Sequence, residues 1–193
     1  YLMAVDVDMN TIDGYESSSW ENGYGDLVMR PDPATLRLVP WLPGTAMVQC
    51  DVLRTDGTPL APSPRQILRR QIDRLESLGY RAHIGTELEF ILFDDSYTSA
   101  WEREYTGMHA SSRYNVDYSL LATSRLEPVI RAIRTGMEGA GLVVESSKGE
   151  CNLGQQEVTF RFDEALRTCD NHSFYKTGAK EIADQQVRST FHR

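Results

Sequence analysis

Two glutamates, Glu87 and Glu89, stand two residues apart in the stretch GTELEFILFDD, residues 85–95. The stretch otherwise reads as a buried strand. Alternation then aims both carboxylates at one face and Leu88, Phe90 and Leu92 at the other. Two like charges at the edge of a core each make the other harder to ionise, and a bound cation is the simplest resolution. Three more glutamates follow. Glu145 lies in a predicted strand over 142–147, Glu157 in another over 156–162, and Glu150 in the connection, which Gly149 and Gly154 bracket. If these strands pair and 80–93 lies beside them, five carboxylates converge on one surface. Uncompensated, that is strongly unfavourable. Hard divalent cations with oxygen ligands compensate it, and Mg²⁺ keeps waters and substrate phosphates as further ligands, which suggests nucleotide chemistry. A single Glu in a strand is most often a solvated edge residue, so the weight rests on the set.

The elements that must position this set can be read from periodicity. Residues 1–60 read as short strands: the alternating YLMAVDVDM, then 26–30, 35–39 and 46–53, punctuated by Pro31, Pro33, Pro40 and Pro43. The clearest helix follows, with Ser63 as cap, Pro64 in its first turn, a stripe of Ile67, Leu68, Ile72, Leu75 and Leu78, and Gly79 at its end. Residues 95–117 read as an irregular surface excursion. A second helix is expected over 124–141, with Ser124 and Glu127 as a capping box and Pro128 in its first turn. The segment 163–186 reads as helical in two pieces, capped by Asp163 and Asp170. The order suggests an α+β fold, with helices covering an antiparallel sheet.

Bulk composition excludes several alternatives. The chain has 193 residues, 40% hydrophobic and 25% charged, which is globular rather than disordered composition. A net charge of −8 argues against a nucleic-acid-binding role. The three cysteines, Cys50, Cys151 and Cys169, are far apart, so they read as small buried hydrophobes in a reducing, cytoplasmic protein. No apolar run is long enough for a membrane span, and no signal peptide opens the chain. The four histidines show no ligand spacing, and Lys180 and Glu181 read as a solvated charged face. Both ends look cut, so the chain is expected to be part of a longer protein.

Five ordered blocks resemble glutamine synthetase and its γ-glutamyl-amine ligase relatives. They are GDLVMRPDPATLRLVPW, CDVLRTDGTPLAPSPRQILRR, GTELEFILF, VVESSKGECNLGQQE and YKTGAKEIA. The resemblance implies that residues 1–58 end a β-grasp-like N-terminal domain and that 59–193 begin the catalytic domain. It matches Glu89, Glu150 and Glu157 to one Mg²⁺ or Mn²⁺ site and Glu87 to a second. It matches Glu145 to a contact with ATP. It matches Asp26 to an aspartate that binds and deprotonates ammonium in a neighbouring subunit's site. Tyr118, or alternatively Tyr114, matches a tyrosine lining that site.

The implied reaction is the ATP-dependent joining of ammonia or a small primary amine to glutamate through a γ-glutamyl phosphate. Transfer of the phosphoryl group turns a poor electrophile into one with a good leaving group, and the metal ions neutralise developing charge. Asp26 and Tyr118 fit ammonia, whereas SSKGECNLGQQE looks more like the branch of γ-glutamyl-polyamine and γ-glutamyl-ethanolamine ligases. A non-catalytic relative kept for assembly or regulation is the third reading, set against by the four retained metal carboxylates. The family also implies a double-ring homo-oligomer with sites between subunits. The family's metal-binding His and its phosphate-holding arginines would lie beyond this chain. Residues 1–193 alone are therefore expected to be inactive, and ATP-dependent glutamine formation by this chain by itself would overturn that.

Overall fold

In chain order, strands β1 (Val28–Pro31), β2 (Arg37–Leu38), β3 (Ala46–Met47) and β4 (Cys50–Leu53) precede helix α1 (Pro64–Ser77). Strands β5 (His83–Ile84) and β6 (Glu89–Phe93), the short α2 (Tyr97–Glu102) and the long α3 (Leu120–Gly139) follow. Then come β7 (Val144–Gly149), β8 (Gln155–Phe160), β9 (Asp163–Glu164), α4 (Ala165–Asp184) and β10 (Ser189–His192). This computed structural model describes residues 6, 10, 12 and 25–192. The strand expected over YLMAVDVDM therefore lies outside the described residues, apart from Asp6. The chain divides into two compact units, one of Tyr1–Leu36 with Val48–Tyr80, the other of Arg37–Met47 with Arg81–Arg193.

In the first unit, β1 and β4 pair antiparallel. An ion-pair cluster ties α1 to them. The Arg65 guanidinium lies 2.6 Å from Asp51 Oδ1 and 2.8 Å from Asp32 Oδ2, and Arg69 reaches the same two carboxylates. The hydrogen bond from Arg65 holds the Asp32 carboxyl below the usual aspartate range. Ser63 occupies the N-cap of α1, but its side chain makes no capping bond there.

The second unit is a four-stranded antiparallel sheet in the order β10-β6-β8-β7. Its core face carries Phe90, Leu92 and Val158, as alternation requires. On it lie Leu126, Val129, Ile130, Ile133 and Met137 of α3, at helical spacing, and Phe174, Tyr175, Ala179 and Ile182 of α4. Each fully buried large apolar side chain contributes about 1.5–3 kcal/mol, so this face, not helix propensity, holds the unit together. The antiparallel β2–β3 pair presents Trp41 to α3 and α4. Both helices make room for it with glycine. A Cβ on Gly136 would lie 3.0 Å from the Trp41 ring, and one on Gly178 would lie 2.7 Å from it.

Several local expectations change once packing is included. Helix α3 starts four residues earlier than expected, capped by Ser119, whose side chain accepts from the Ala122 N–H. Ser124 and Pro128 are therefore inside it, and Glu127 binds arginines rather than closing a capping box. Helix α4 is one piece of 20 residues, because Thr168, Asp170, Phe174 and Tyr175 are buried along one continuous face. Glu181 is half-buried and accepts the Trp41 indole N–H at 2.6 Å, so it is not a solvated charge. Cys151 is exposed, unlike the expected buried hydrophobe. The excursion at 95–117 contains α2 and is pinned by Asp95, which accepts the His109 backbone N–H at 2.6 Å.

Glu127 also links α3 to the sheet. It accepts from both terminal nitrogens of Arg134, at 3.1 and 2.6 Å, and Arg134 donates onward to Ser147 of β7 at 2.8 Å. Those hydrogen bonds hold the Glu127 carboxyl below the ordinary glutamate value. A folded pKa below the unfolded one gives stability that is present above the unfolded pKa and lost as pH falls through the folded one. Glu127→Gln should cost about 0.5–1 kcal/mol in urea unfolding at pH 7. Its difference from wild type should close as the pH is taken below about 4.

Candidate metal centre

The register of three strands builds the site. Glu89 of β6 lies opposite Glu157 of β8, and Glu157 lies opposite Lys148 of β7. Directly paired residues put their Cβ atoms roughly 4.5–5.5 Å apart, so these three side chains form a row on the sheet face turned away from Phe90 and Leu92. Glu157 is only 4% exposed and Glu150, just past the end of β7, is 9% exposed. Lys148 Nζ lies 3.1 Å from Glu157 Oε2, forms a second ion pair with Glu150, and sits 4.9 Å above the centre of the Tyr118 ring. Burial works to lower the Lys148 pKa. The hydrogen bond and charge of Glu157, helped by Tyr118, outweigh it and raise the ammonium above the ordinary lysine value. Glu89 accepts a hydrogen bond from Gln155 Nε2.

A glycine-dependent loop closes over one side of this row. A Cβ on Gly149 would lie 2.5 Å from the Val116 carbonyl oxygen, so only glycine lets residues 116–118 approach β7. Tyr118 takes a left-handed backbone, φ 51°, uncommon outside glycine, and donates its N–H to the Gly149 carbonyl at 3.3 Å. The neighbouring Ser119 starts α3. On the other side of the connection Gly154, φ 69°, donates to Ser112 Oγ at 2.6 Å and accepts from the Leu92 N–H at 2.9 Å. Its own Cβ would meet the Leu92 carbonyl at 2.6 Å. The Cys151 thiol donates to Asp117 Oδ2 at 3.4 Å, and this hydrogen bond raises the thiol pKa, which suits a donor rather than a nucleophile. Asp117, Glu150 and Cys151 offer ligand atoms within 4.8 Å of one another.

The structure thus pairs Glu89 with Glu157 across β6 and β8 and links Glu157 to Glu150 through Lys148, with Tyr118 beside that ammonium. Glu87 is exposed and lies two residues ahead of β6, outside the paired register, so strand alternation does not govern it. Glu145 is exposed at the far end of β7, in a bulge between Val144 and Ser146, roughly 10 Å along the strand from Lys148. Of the five carboxylates expected on one surface, Glu89 and Glu157 share a cross-strand pair, and Glu150 joins Glu157 through Lys148. Asp26 is exposed just ahead of β1, in the first unit. Tyr114 is half-exposed, and its hydroxyl accepts from Arg125 at 3.4 Å. Reading the sequence passed over Lys148, Gln155 and Asp117. Strand pairing was the signal for the first two, since Lys148 is the cross-strand partner of Glu157 and Gln155 sits two positions before Glu157 on β8.

Three carboxylates against one ammonium leave two surplus negative charges in a partly desolvated row. The donors are hard oxygens, so the residues present fit a divalent cation of the Mg²⁺ or Mn²⁺ type. Residues 61–192 match the family model described as glutamine synthetase, catalytic domain. The chain belongs to the glutamine synthetase family. Membership implies ATP and divalent metal ions in general terms. The chain is 61% identical over 189 residues to a gamma-glutamylethanolamide synthetase of Streptomyces coelicolor, covering 98% of this chain and 41% of that protein. It is 37% identical to a glutamate–isopropylamine ligase of a Pseudomonas species, covering 94% and 40%. Among solved structures, a GmaS/ADP complex superposes with a TM-score of 0.76 at 24% identity, covering 93% of this chain and 39% of that one. That likeness supports the α+β glutamine-synthetase-type fold. The chain spans about 40% of the length of these relatives. Among the described residues, no helix is long and apolar enough to cross a membrane.

Gly149→Ala should drive the 116–118 loop off β7. A strained fit of this kind costs about 1–3 kcal/mol. Chemical denaturation should show that loss, and hydrogen exchange at the Tyr118 amide should accelerate. Unchanged exchange there would contradict the close approach.

Proposed function

We propose that the chain supplies the opening part of the active site of an ATP-dependent ligase that joins a primary amine to the γ-carboxylate of glutamate. The observation that carries this is the row of Glu89 and Glu157 with Glu150 beside it, in surplus negative charge on one face of the sheet. Residues 1–58 would end the β-grasp-like domain and 59–193 begin the catalytic domain, in keeping with the family match from residue 61. Glu89, Glu150 and Glu157 would hold one Mg²⁺ or Mn²⁺, Glu87 would contribute to a second, and Glu145 would contact ATP. When bound, the ions would supply charge neutralisation at the phosphates of ATP and of the γ-glutamyl phosphate. Tyr118 would line the amine pocket, and Asp26 would accept the amine's proton in a neighbouring subunit's site, which implies a ring-shaped homo-oligomer. A cytoplasmic location fits three cysteines with no disulfide between them.

The 61% identity to a gamma-glutamylethanolamide synthetase favours ethanolamine over ammonia as the amine. Isopropylamine, polyamines and ammonia are the nearest alternatives. A non-catalytic relative would be expected to lose the metal carboxylates, and none of the four is lost here.

The test uses the intact protein that carries this chain, with ATP, glutamate and, in turn, ethanolamine, ammonia, isopropylamine, putrescine and spermine. Phosphate release should be fastest with ethanolamine. Glu157→Ala should lower Mn²⁺ affinity by at least roughly 100-fold, as expected for a ligand whose loss exceeds that of a supporting residue. No ATP turnover with any amine would overturn the ligase reading.

A further inference from the structure

We propose that Lys148 is a resident counter-cation: its ammonium holds Glu150 and Glu157 together until a divalent ion displaces it, so that metal loading is a competition with the chain's own charge. This rests on the metal reading above and adds a residue and a step to it. The geometry is specific. Lys148 lies directly opposite Glu157 in the β7–β8 register, and its Nζ contacts Glu157 Oε2, Glu150 Oε1 and the face of Tyr118. A carboxylate pair and an aromatic face around one ammonium make a cation site already filled by the protein. The lysine side chain is 27% exposed, against 4% for that of Glu157, so the ammonium has a way out to solvent while the carboxylates stay.

An ammonium and a divalent ion cannot share the same two carboxylates at contact distance without strong mutual repulsion. One must leave, and the flexible four-carbon lysine stem is the part that can move. While it is in place, Lys148 also keeps Glu150 and Glu157 from repelling each other apart, so the ligand oxygens are already gathered when a metal arrives. The net effect on affinity is a balance between gathering the ligands and blocking them. The backbone that carries each carboxylate is fixed independently of Lys148, that of Glu157 by its strand and that of Glu150 by its N–H to the Gln155 carbonyl at 3.0 Å. Blocking therefore outweighs gathering.

The experiment is direct Mn²⁺ binding, followed by the loss of the free-ion paramagnetic resonance signal at pH 7 and constant ionic strength. It uses the intact protein carrying this chain, as wild type and as Lys148→Met, Lys148→Gln, Lys148→Arg and Glu157→Ala. Without the competing charge, Lys148→Met and Lys148→Gln should bind Mn²⁺ about tenfold more tightly, the scale of one charge-assisted hydrogen bond. Lys148→Arg, which keeps the charge, should bind no more tightly than wild type. The neutral variants should melt at lower temperature without metal, and Mn²⁺ should raise their melting temperature more than that of wild type. Equal or weaker Mn²⁺ affinity in whichever neutral variant folds would overturn the proposal. If Glu157→Ala still abolishes binding in that case, the metal centre stands and only the role of Lys148 falls. No Mn²⁺ binding by wild type or any variant would overturn both.

Discussion

The antiparallel register of β6, β8 and β7 is the constraint on which the rest depends. Pairing Glu89 with Glu157 and Glu157 with Lys148 places two carboxylates and an ammonium in one row. The same pairing turns Phe90, Leu92 and Val158 the other way, into the core under α3 and α4. A slip of one residue would send the acidic row into the apolar core and the apolar row into the site. The core therefore guards the register of the site. The energy that orders the charged face comes from the opposite face of the same strands.

Charge balance in that row is incomplete by design of the local chemistry. Burial makes the carboxylates costly, and Lys148 offsets only part of that cost. Such a surplus is what a divalent ion compensates. The loop that brings Tyr118 to the same ammonium depends on two backbone features: the absence of a side chain at Gly149 and a left-handed conformation at Tyr118. Neither contributes a ligand atom, yet both decide what the ligand atoms face. The same use of glycine recurs where Trp41 meets α3 and α4, through Gly136 and Gly178.

Much of the architecture was legible one element at a time. The strand at Glu89, the strand pair around Glu150 and the helix from Pro64 follow from alternation, turn residues and a proline in a first turn. Errors arose where a local signal competed with packing. Ser124 and Glu127 have the spacing of a capping box, but the apolar face of α3 begins earlier, and Ser119 takes the cap. Asp170 looks like a cap, but it is buried within a helix whose inner face is continuous. Glu181 looks solvated in one dimension, and only the arrival of Trp41 from 140 residues away makes it a hydrogen-bond acceptor.

For the site, residue types and spacing singled out five carboxylates, Glu87, Glu89, Glu145, Glu150 and Glu157, and suggested a cation, because like charges gathered at a core edge require compensation. Only the family resemblance grouped Glu89, Glu150 and Glu157. Spacing could not separate Glu87 and Glu145 from that trio. Where β6 begins and where β7 bulges are decided by pairing with other strands, not by the residues themselves. The role of Lys148 was equally invisible. Two residues from Glu150, it reads as an ordinary surface lysine, and only the cross-strand neighbour and the Tyr118 ring turn it into the cation at the end of the row. Sequence by itself determined which chemistry was available. The tertiary structure decided which charges meet, because electrostatic energy depends on distance in space and strand register is what converts one into the other.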